Sequence, residues 1–375
     1  MSDLAMSPTI RRLGLSFTLS GYIARQYLMW FICFLSALTG IILLVSTVDL
    51  LDRVSNRDVA LGVVVELALL KLPFLSQEVM PFTVLFASMT TFWRLTRSNE
   101  LVVARAAGIS VWQFLLPVLT MGILIAVFTV AVLNPLGSIL LNRFEQVETK
   151  YIRHQTSLLA LSSSGLWLRQ ADDGGQSVIH AEKVSPNSMI LHRVIIFRYA
   201  EEDRFINRID ADKATLLPGA WRLAGAQSSA PGSPTRQFEE MTLPTDLTAE
   251  KIKESFAAPE TISFWSLPHF IELMEAAGFS AIRHKLQLHR LLAVPVLFSA
   301  MILLAATFSL RPQRRGRVGL VILAGVMTGF LLYFLSNFVF ALGLSAKIPV
   351  ILAAWAPAGI SMLLGIAMLL HLEDG

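Results

Sequence analysis

At 375 residues, with 54% hydrophobic and only 15% charged side chains and a mean hydropathy of +0.61, the chain is too apolar for a water-soluble protein, in which about 25% of residues are charged. The net charge of +4 sits largely at the ends of apolar runs, a placement that points to membrane orientation and argues against a nucleic-acid partner. A single cysteine, Cys33, excludes an intramolecular disulfide, so any water-facing domain must hold together by packing alone.

In chain order, apolar runs predict spans at 27–48, 70–93, 111–134, 287–310, 318–342 and 348–371, each near the ~20 residues a bilayer requires. The first follows Arg11, Arg12 and Arg25 and is followed by Asp49, Asp52 and Arg53. It is longer than the ~7–15-residue core of a signal peptide and reads as an uncleaved span. The second is interrupted by Glu66, Lys71 and Glu78 and contains Pro73 and Pro81, so 59–70 is expected to be an amphipathic, interfacial lead-in.

Arg11, Arg12 and Arg25 in the tail, Arg94, Arg97 and Arg105 after the second span, and Arg311, Arg314, Arg315 and Arg317 after the fourth fall on one side if the spans alternate. That side is expected to be the cytoplasm. Both termini would then lie inside and the polar middle of the chain outside.

The polar middle reads as β. Short β-branched or alternating runs at Gly165–Arg169, Ser177–Lys183, Ile190–Tyr199, Ile206–Leu217 and Trp221–Ala224 are separated by turn residues such as Pro218-Gly219. Such spacing suggests a sandwich, jelly roll or open barrel. Gln227–Pro234 is expected to be a loop, and helices are predicted at Leu141–Gln155 and Leu267–Ala277. The expected fold is therefore a six-span α-helical membrane protein with an inserted all-β, jelly-roll-like domain. Its parts are an N-terminal membrane half, 1–137; the β domain, 138–265; and a C-terminal membrane half, 266–375, comprising a linker helix and three spans.

No P-loop, no H-E-x-x-H and no nucleophile elbow is present in the sequence, and no metal site is expected. Energy for transport would come from a partner or an ion gradient. Glu66, Lys71 and Glu78 are the ionisable groups at membrane depth that an ion-coupled transporter would use.

The cytoplasmic stretch Arg97–Ser110, RSNELVVARAAGIS, predicts a short helix at about 98–109. Ser98 or Asn99 can cap it, Glu100 suits its first turn, and Gly108 can end it. An apolar helix between two spans is either a connector or a surface that docks into a partner's groove.

Together with the order three spans, β domain, three spans, and with G-L-W-L-R at Gly165–Arg169, the segment N-E-L-V-V-A-R-A-A-G-I-S resembles the LptF/LptG family of lipopolysaccharide export permeases over nearly the whole chain. E-L-V-V and G-L-W look more like the LptG branch. The resemblance implies an inner-membrane ABC exporter of a Gram-negative bacterium that extracts lipopolysaccharide from the membrane lipid. An LptF-like chain would be the mate of this one. An LptB-like ATPase dimer would supply ATP and Mg, with no cofactor in this chain, and LptC-like and LptA-like proteins would form the periplasmic bridge.

By the same resemblance the coupling helix would contact the ATPase through Glu100, Leu101, Arg105, Ala106 and Gly108, and the first and fifth spans would form lateral gates. Cargo contacts are expected from Arg53, Arg57 and Arg143 for the phosphates and from Phe31, Phe34 and Phe334 for the acyl chains. The alternatives are the ion-coupled transporter and a non-transporting membrane scaffold.

Overall fold

The computed structural model describes residues 17–54, 60–106, 110–149, 159–162, 165–172, 175–185, 190–200, 204–245, 247–248, 258–276, 279–310 and 318–373. The helices of the N-terminal half are α1 (Phe17–Val54), α2 (Leu61–Arg97), α3 (Glu100–Ala106), α4 (Val111–Phe128) and α5 (Asn134–Glu148). A π turn, Thr129–Leu133, joins α4 to α5. The C-terminal half contributes α6 (Leu267–Ala276), α7 (Ile282–Ser309), α8 (Val318–Leu344) and α9 (Val350–Glu373).

Among the described residues, five helices are long and apolar enough to cross a membrane: α1, α4 continued through α5, α7, α8 and α9. The sixth long helix, α2, has 37 residues but is more polar. It compensates by packing among α1, α5 and α7. Thr83, Ser88 and Thr91 in its buried face each donate to the carbonyl four residues back, at 3.1, 2.7 and 2.7 Å. No hydroxyl there is left unsatisfied in an apolar surround.

The interfacial lead-in expected at 59–70 is instead the first turns of α2, continuous with the rest. The reason is visible in its neighbours. At ~1.5 Å per residue, α1, α2 and α4–α5 are each about 55 Å long, well beyond a ~30 Å hydrocarbon core. Their ends protrude together. Val64, Leu67 and Ala68 are buried there against Leu50, Val54, Leu141 and Phe144, which makes a three-helix stalk.

Above the bundle lies a seven-stranded antiparallel sheet: β1 (Leu159–Ser162), β2 (Gly165–Asp172), β3 (Gly175–Ser185), β4 (Ile190–Tyr199), β5 (Phe205–Leu217), β6 (Ala220–Ser229) and β7 (Arg236–Pro244). Each strand pairs with the next, in the order β1 to β7. The domain is all-β, as expected, and its connectivity is a meander. Pro218-Gly219 makes the predicted β5–β6 turn, with Gly219 at φ 80°, a conformation glycine adopts without strain.

Residue alternation along the strands breaks at one level across the sheet. Ala181 and Val184 in β3, Leu191 and Val194 in β4, Ala211 and Ala214 in β5, and Leu223 and Ala226 in β6 are all buried, three residues apart rather than two. The registers Lys183↔His192, His192↔Lys213 and Lys213↔Ala224 put these breaks side by side. The sheet therefore has a crease, across which the inward face changes parity. Two crease residues hold positive φ, Arg193 at 50° and Gly225 at 65°.

Beyond the crease the sheet curls until β2 meets the β6–β7 end. Gln170 in β2 is 3% exposed. Its Oε1 accepts from Trp221 Nε1 at 3.3 Å and from Thr245 Oγ1 at 2.6 Å. Its Nε2 donates to the Pro244 carbonyl at 3.1 Å. The concave face closes over Leu267, Ile271 and Met274 of α6 and reaches Leu291 of α7 and Val130 of the π turn.

The sheet is tied to the bundle at that π turn. Asn134 Oδ1 accepts the Phe264 backbone N–H at 2.9 Å, and Trp265 Nε1 donates to the Ala131 carbonyl at 3.1 Å. On the other side Gln77 Nε2 of α2 donates to the Leu133 carbonyl at 3.1 Å.

Two stability predictions follow from these geometries. A Cβ on Gly225 would lie 2.5 Å from Asp212 Oδ2, on a backbone already at φ 65°. Gly225→Val is expected to destabilise the β domain by about 2 kcal/mol or more, read as faster proteolysis within 159–244 of the full chain in detergent; unchanged protection would remove the crease from the account. Asn134→Ala is expected to lower the detergent melting temperature through about 1–3 kcal/mol of lost hydrogen bonding, and an unaltered midpoint would show that the junction is not held there.

Candidate functional site

The first candidate site is α3, set between the cytoplasm-facing ends expected of α2 and α4. α2 ends at Arg97, whose guanidinium lies 5.2 Å from the Trp93 ring. Ser98 and Asn99 then turn the chain. Asn99 takes φ 58°, a left-handed conformation that asparagine tolerates, and its carbonyl accepts the Val103 N–H at 3.0 Å to start α3. Glu100 is held from two sides: Oε1 accepts from Ser98 Oγ at 2.8 Å and from Tyr22 Oη of α1 at 3.4 Å. At the far end, the Ser110 N–H donates to Gln113 Oε1 at 3.1 Å and opens α4.

This arrangement divides the residues expected at the ATPase contact. Leu101 is 4% exposed and belongs to the core of the bundle. It anchors α3 to its own chain and does not present a surface, which corrects its expected role. Glu100 also points back to α1 and the preceding turn. Ala106 is exposed. Arg105 lies in α3 with its side chain outside the described residues, and Gly108 lies outside them altogether. The outward apolar surface is Val102 and Val103, 60% and 68% exposed. Sequence reasoning counted Val102 only as apolar surface and missed Val103; the unused signal is helical spacing, since on ~100° per residue Leu101 and Ala104 share a face and leave Val102 and Val103 opposite.

The second candidate site is the stalk end of α1, expected to be its outer end, and its surroundings. Arg53 pairs with Asp49 at 3.0 Å and with Glu148 of α5 at 3.7 Å. Glu148 is only 6% exposed there, so Arg53 is held by carboxylates within the stalk. Arg143 is exposed and has no ion-pair partner among the described residues. Arg57 lies outside them.

The three phenylalanines expected to meet acyl chains do not share a site. Phe31 is 6% exposed in the bundle core, its ring 6.3 Å from Tyr27. Phe34 is half-buried, 6.3 Å from Trp30 and 5.9 Å from Phe86 of α2. Both are packing residues, because α1 turns this face onto α2. Phe334 of α8 is 74% exposed. The open face of α1 carries Met29, Ile32, Ile41, Leu44, Val45 and Val48 instead. Burial is uneven across the bundle. The apolar stretch of α1 is 6% buried and that of α8 11%, against 67% for α7.

Of the third site the sequence offered Glu78 alone. A cavity of ≈ 250 Å³ lies among α2, the π junction, α7, α8 and α9. Gln287 and Arg290 of α7 and Asn337 of α8 line it, with Glu78 of α2 and Glu260 from the linker. Of the three membrane-depth groups considered for ion coupling, only Glu78 reaches it. Glu66 is exposed, and Lys71 Nζ stands 5.4 Å from the Phe144 ring. No ion pair joins the three among the described residues.

Residues 21–371 match the family described as lipopolysaccharide export system permease LptF/LptG. The chain is 25% identical to lipopolysaccharide export system permease protein LptG of Escherichia coli K12 over 312 residues, 81% of this chain and 84% of that protein. It is 23% identical to the protein of that name from Haemophilus influenzae over 353 residues, 91% and 95% of the two chains. These matches do not favour an ion-driven transporter or a scaffold. A match that runs through both membrane halves and the sheet between them settles the assignment: this multi-pass membrane protein belongs to the LptF/LptG family of lipopolysaccharide export permeases.

Proposed function

We propose that the chain is the LptG-type permease subunit of an inner-membrane ABC exporter, which lifts lipopolysaccharide out of the bilayer and passes it to a periplasmic bridge. The division into 1–137, 138–265 and 266–375 follows this use: two membrane halves that move, and a β domain that receives cargo. The termini face the cytoplasm and the sheet the periplasm. The arginines support this, with Arg94 and Arg97 flanking α3 on the side expected to be the cytoplasm.

The observation that carries the proposal is α3. It is short, pinned by Leu101 and Glu100, and displays two valines to the solvent. An ATPase of the LptB type, holding ATP and Mg, would take Val102, Val103 and Ala106 into its groove, with Arg105 and Gly108 at the rim. Closure of the ATPase dimer then moves α3 as a rigid pin, and α2 and α4 with it. α1 and α8, the least buried spans, would face an LptF-like chain and form the gates between the two subunits. Phe334 stands on such a gate. Arg143, exposed near the outer end of α5, is the cation best placed for lipid phosphate, ahead of Arg53, which already has two carboxylate partners. LptC-like and LptA-like partners would continue from the sheet.

Burial of a valine is worth about 2 kcal/mol, so placing a charge at both exposed positions should release the ATPase without harming the fold. Val102→Asp combined with Val103→Asp is expected to leave membrane insertion and melting temperature unchanged, and to cut co-purified ATPase and lipopolysaccharide-stimulated ATP hydrolysis by more than about tenfold. Arg105→Glu and Gly108→Trp should act in the same direction. Full export by a stably expressed double variant would overturn the coupling role of α3.

A further inference from the structure

The cavity among α2, α7, α8 and α9 has the polarity of an amphiphile. Its end near the β domain carries Gln77, Asn134, Glu260, Gln287, Arg290 and Asn337, and its depth is formed by Phe82, Leu297, Phe298, Met301 and Leu332. The helices run so that these two sets separate along the bundle. Gln287 and Arg290 precede Leu297 and Met301 in α7, whereas Asn337 follows Leu332 in the oppositely directed α8.

Gln77 and Asn134 are hydrogen-bonded at the π turn, but the charged part of the polar end is not internally compensated. Arg290 has an aromatic neighbour, the Phe340 ring at 5.1 Å. Among the described residues neither Glu78 nor Glu260 makes an ion pair with it or with any other cation. Gln287 is 8% exposed, and its Oε1 accepts no hydrogen bond among the described residues. The buried Gln287 acceptor left without a partner is costly, and the exposed Arg290 and Glu78 offer free charges at the rim; a ligand that reaches all three recovers the cost of the first and pairs the others.

The balance of charge selects the ligand class. One guanidinium asks for an anion. Two carboxylates disfavour a multiply anionic headgroup and ask for a cation. A headgroup with one phosphate and one ammonium meets both demands, through charge-assisted hydrogen bonds from Arg290 to the phosphate and from the ammonium to Glu78 or Glu260. We infer that this cavity is a binding site for a zwitterionic, amine-bearing membrane phospholipid, inserted with one acyl chain between α7, α8 and α9. None of Phe31, Phe34, Phe334, Arg53 and Arg143, the residues expected to meet cargo, lines it. Glu78 is exposed and stands at the lateral opening through which a lipid enters from the bilayer.

The test uses the full chain, purified with its accompanying subunits and placed in nanodiscs of phosphatidylethanolamine and phosphatidylglycerol in equal parts. A photoactivatable form of one or the other lipid is included, and adducts are mapped by peptide mass spectrometry. Phosphatidylethanolamine adducts are expected on the peptides of α7 and α8 that border the cavity. Arg290→Gln should reduce them by about tenfold, the loss of one charge-assisted contact, and Arg290→Lys should retain them. Glu78→Gln combined with Glu260→Gln should turn the preference toward phosphatidylglycerol. Ala354→Phe, which fills the cavity from α9, should abolish adducts of both lipids, with the melting temperature measured alongside. Equal adducts in wild type and Arg290→Gln, no adduct at these peptides, or displacement of the phospholipid by added lipopolysaccharide would each overturn the inference. Lipopolysaccharide-stimulated ATP hydrolysis, read on the same samples, tests the exporter reading separately and can fail while the adducts stand.

Discussion

The rest of the structure depends on how one irregular turn satisfies its carbonyls. A π turn shifts the hydrogen-bond register of the helix that contains it, and at the edge of a bilayer an unsatisfied carbonyl costs several kcal/mol. Here Gln77 donates to Leu133 and Trp265 donates to Ala131. These side chains come from α2 and from the segment returning out of the β domain. The turn therefore recruits the two elements that must meet for the halves to assemble. Asn134 adds a third tie by accepting the Phe264 N–H. The chain leaves the bundle through α5 and comes back to it at the same turn, so the β domain is clamped where it is inserted.

Uneven burial in the bundle follows from this arrangement. α2 and α7 are drawn inward by the junction and by each other and take the buried positions. α1 and α8 remain at the margin. Lipid tails cover an apolar helix face as well as a neighbouring helix does, so exposed leucines and valines there do not by themselves demand a partner. α1 is nonetheless held at both of its ends, to α2 and, in the stalk, to α5. What they permit is movement of α8: a helix with few buried side chains can part from its neighbour at little cost. That suits a span that opens to admit a lipid, and it would not suit α7.

The parts of this fold that were legible in the sequence are those governed by local rules. Five of the six expected spans came from apolar length, the Pro218-Gly219 hairpin from turn chemistry, and α6 from the spacing of Leu267, Ile271 and Met274. What escaped was set by tertiary contact. The length of α2 beyond 70–93 was hidden because Glu66 and Lys71 look like a boundary until α1 and α5 are seen to rise beside them. β7 was missed because Arg236, Glu239 and Glu240 leave no alternation on an exposed edge strand, and the crease broke the period of β3 to β6 into short runs. Gln227–Ser229, expected within a loop, complete β6. At the candidate sites, the motif located α3 but not which of its faces is outward, and aromatic spacing on α1 marked Phe31 and Phe34 without showing that they face α2. Arg290 gave no signal beyond being one charge near the start of a span.

On the proposed docking of an ATPase at α3, a push there reaches the β domain through the same contacts. α3 is flanked in sequence by α2 and α4, and both lead to the π junction: α2 through the ~30 Å between Arg97 and Gln77, α4 through the ~27 Å between Val111 and Thr129, at ~1.5 Å per residue. A displacement of α3 thus acts on two helices whose far ends are hydrogen-bonded to each other. If they move together, Gln77 and Leu133 keep their bond and the linker at Phe264 and Trp265 is carried along. If they shear, the bond between Gln77 and the Leu133 carbonyl must break, in an apolar surround where that is expensive. The cheaper response is concerted motion, with bending confined to the prolines, Pro81 in α2 and Pro117 in α4, where a helix hydrogen bond is already missing. The junction therefore makes two long helices act as one lever, with the β domain at its end.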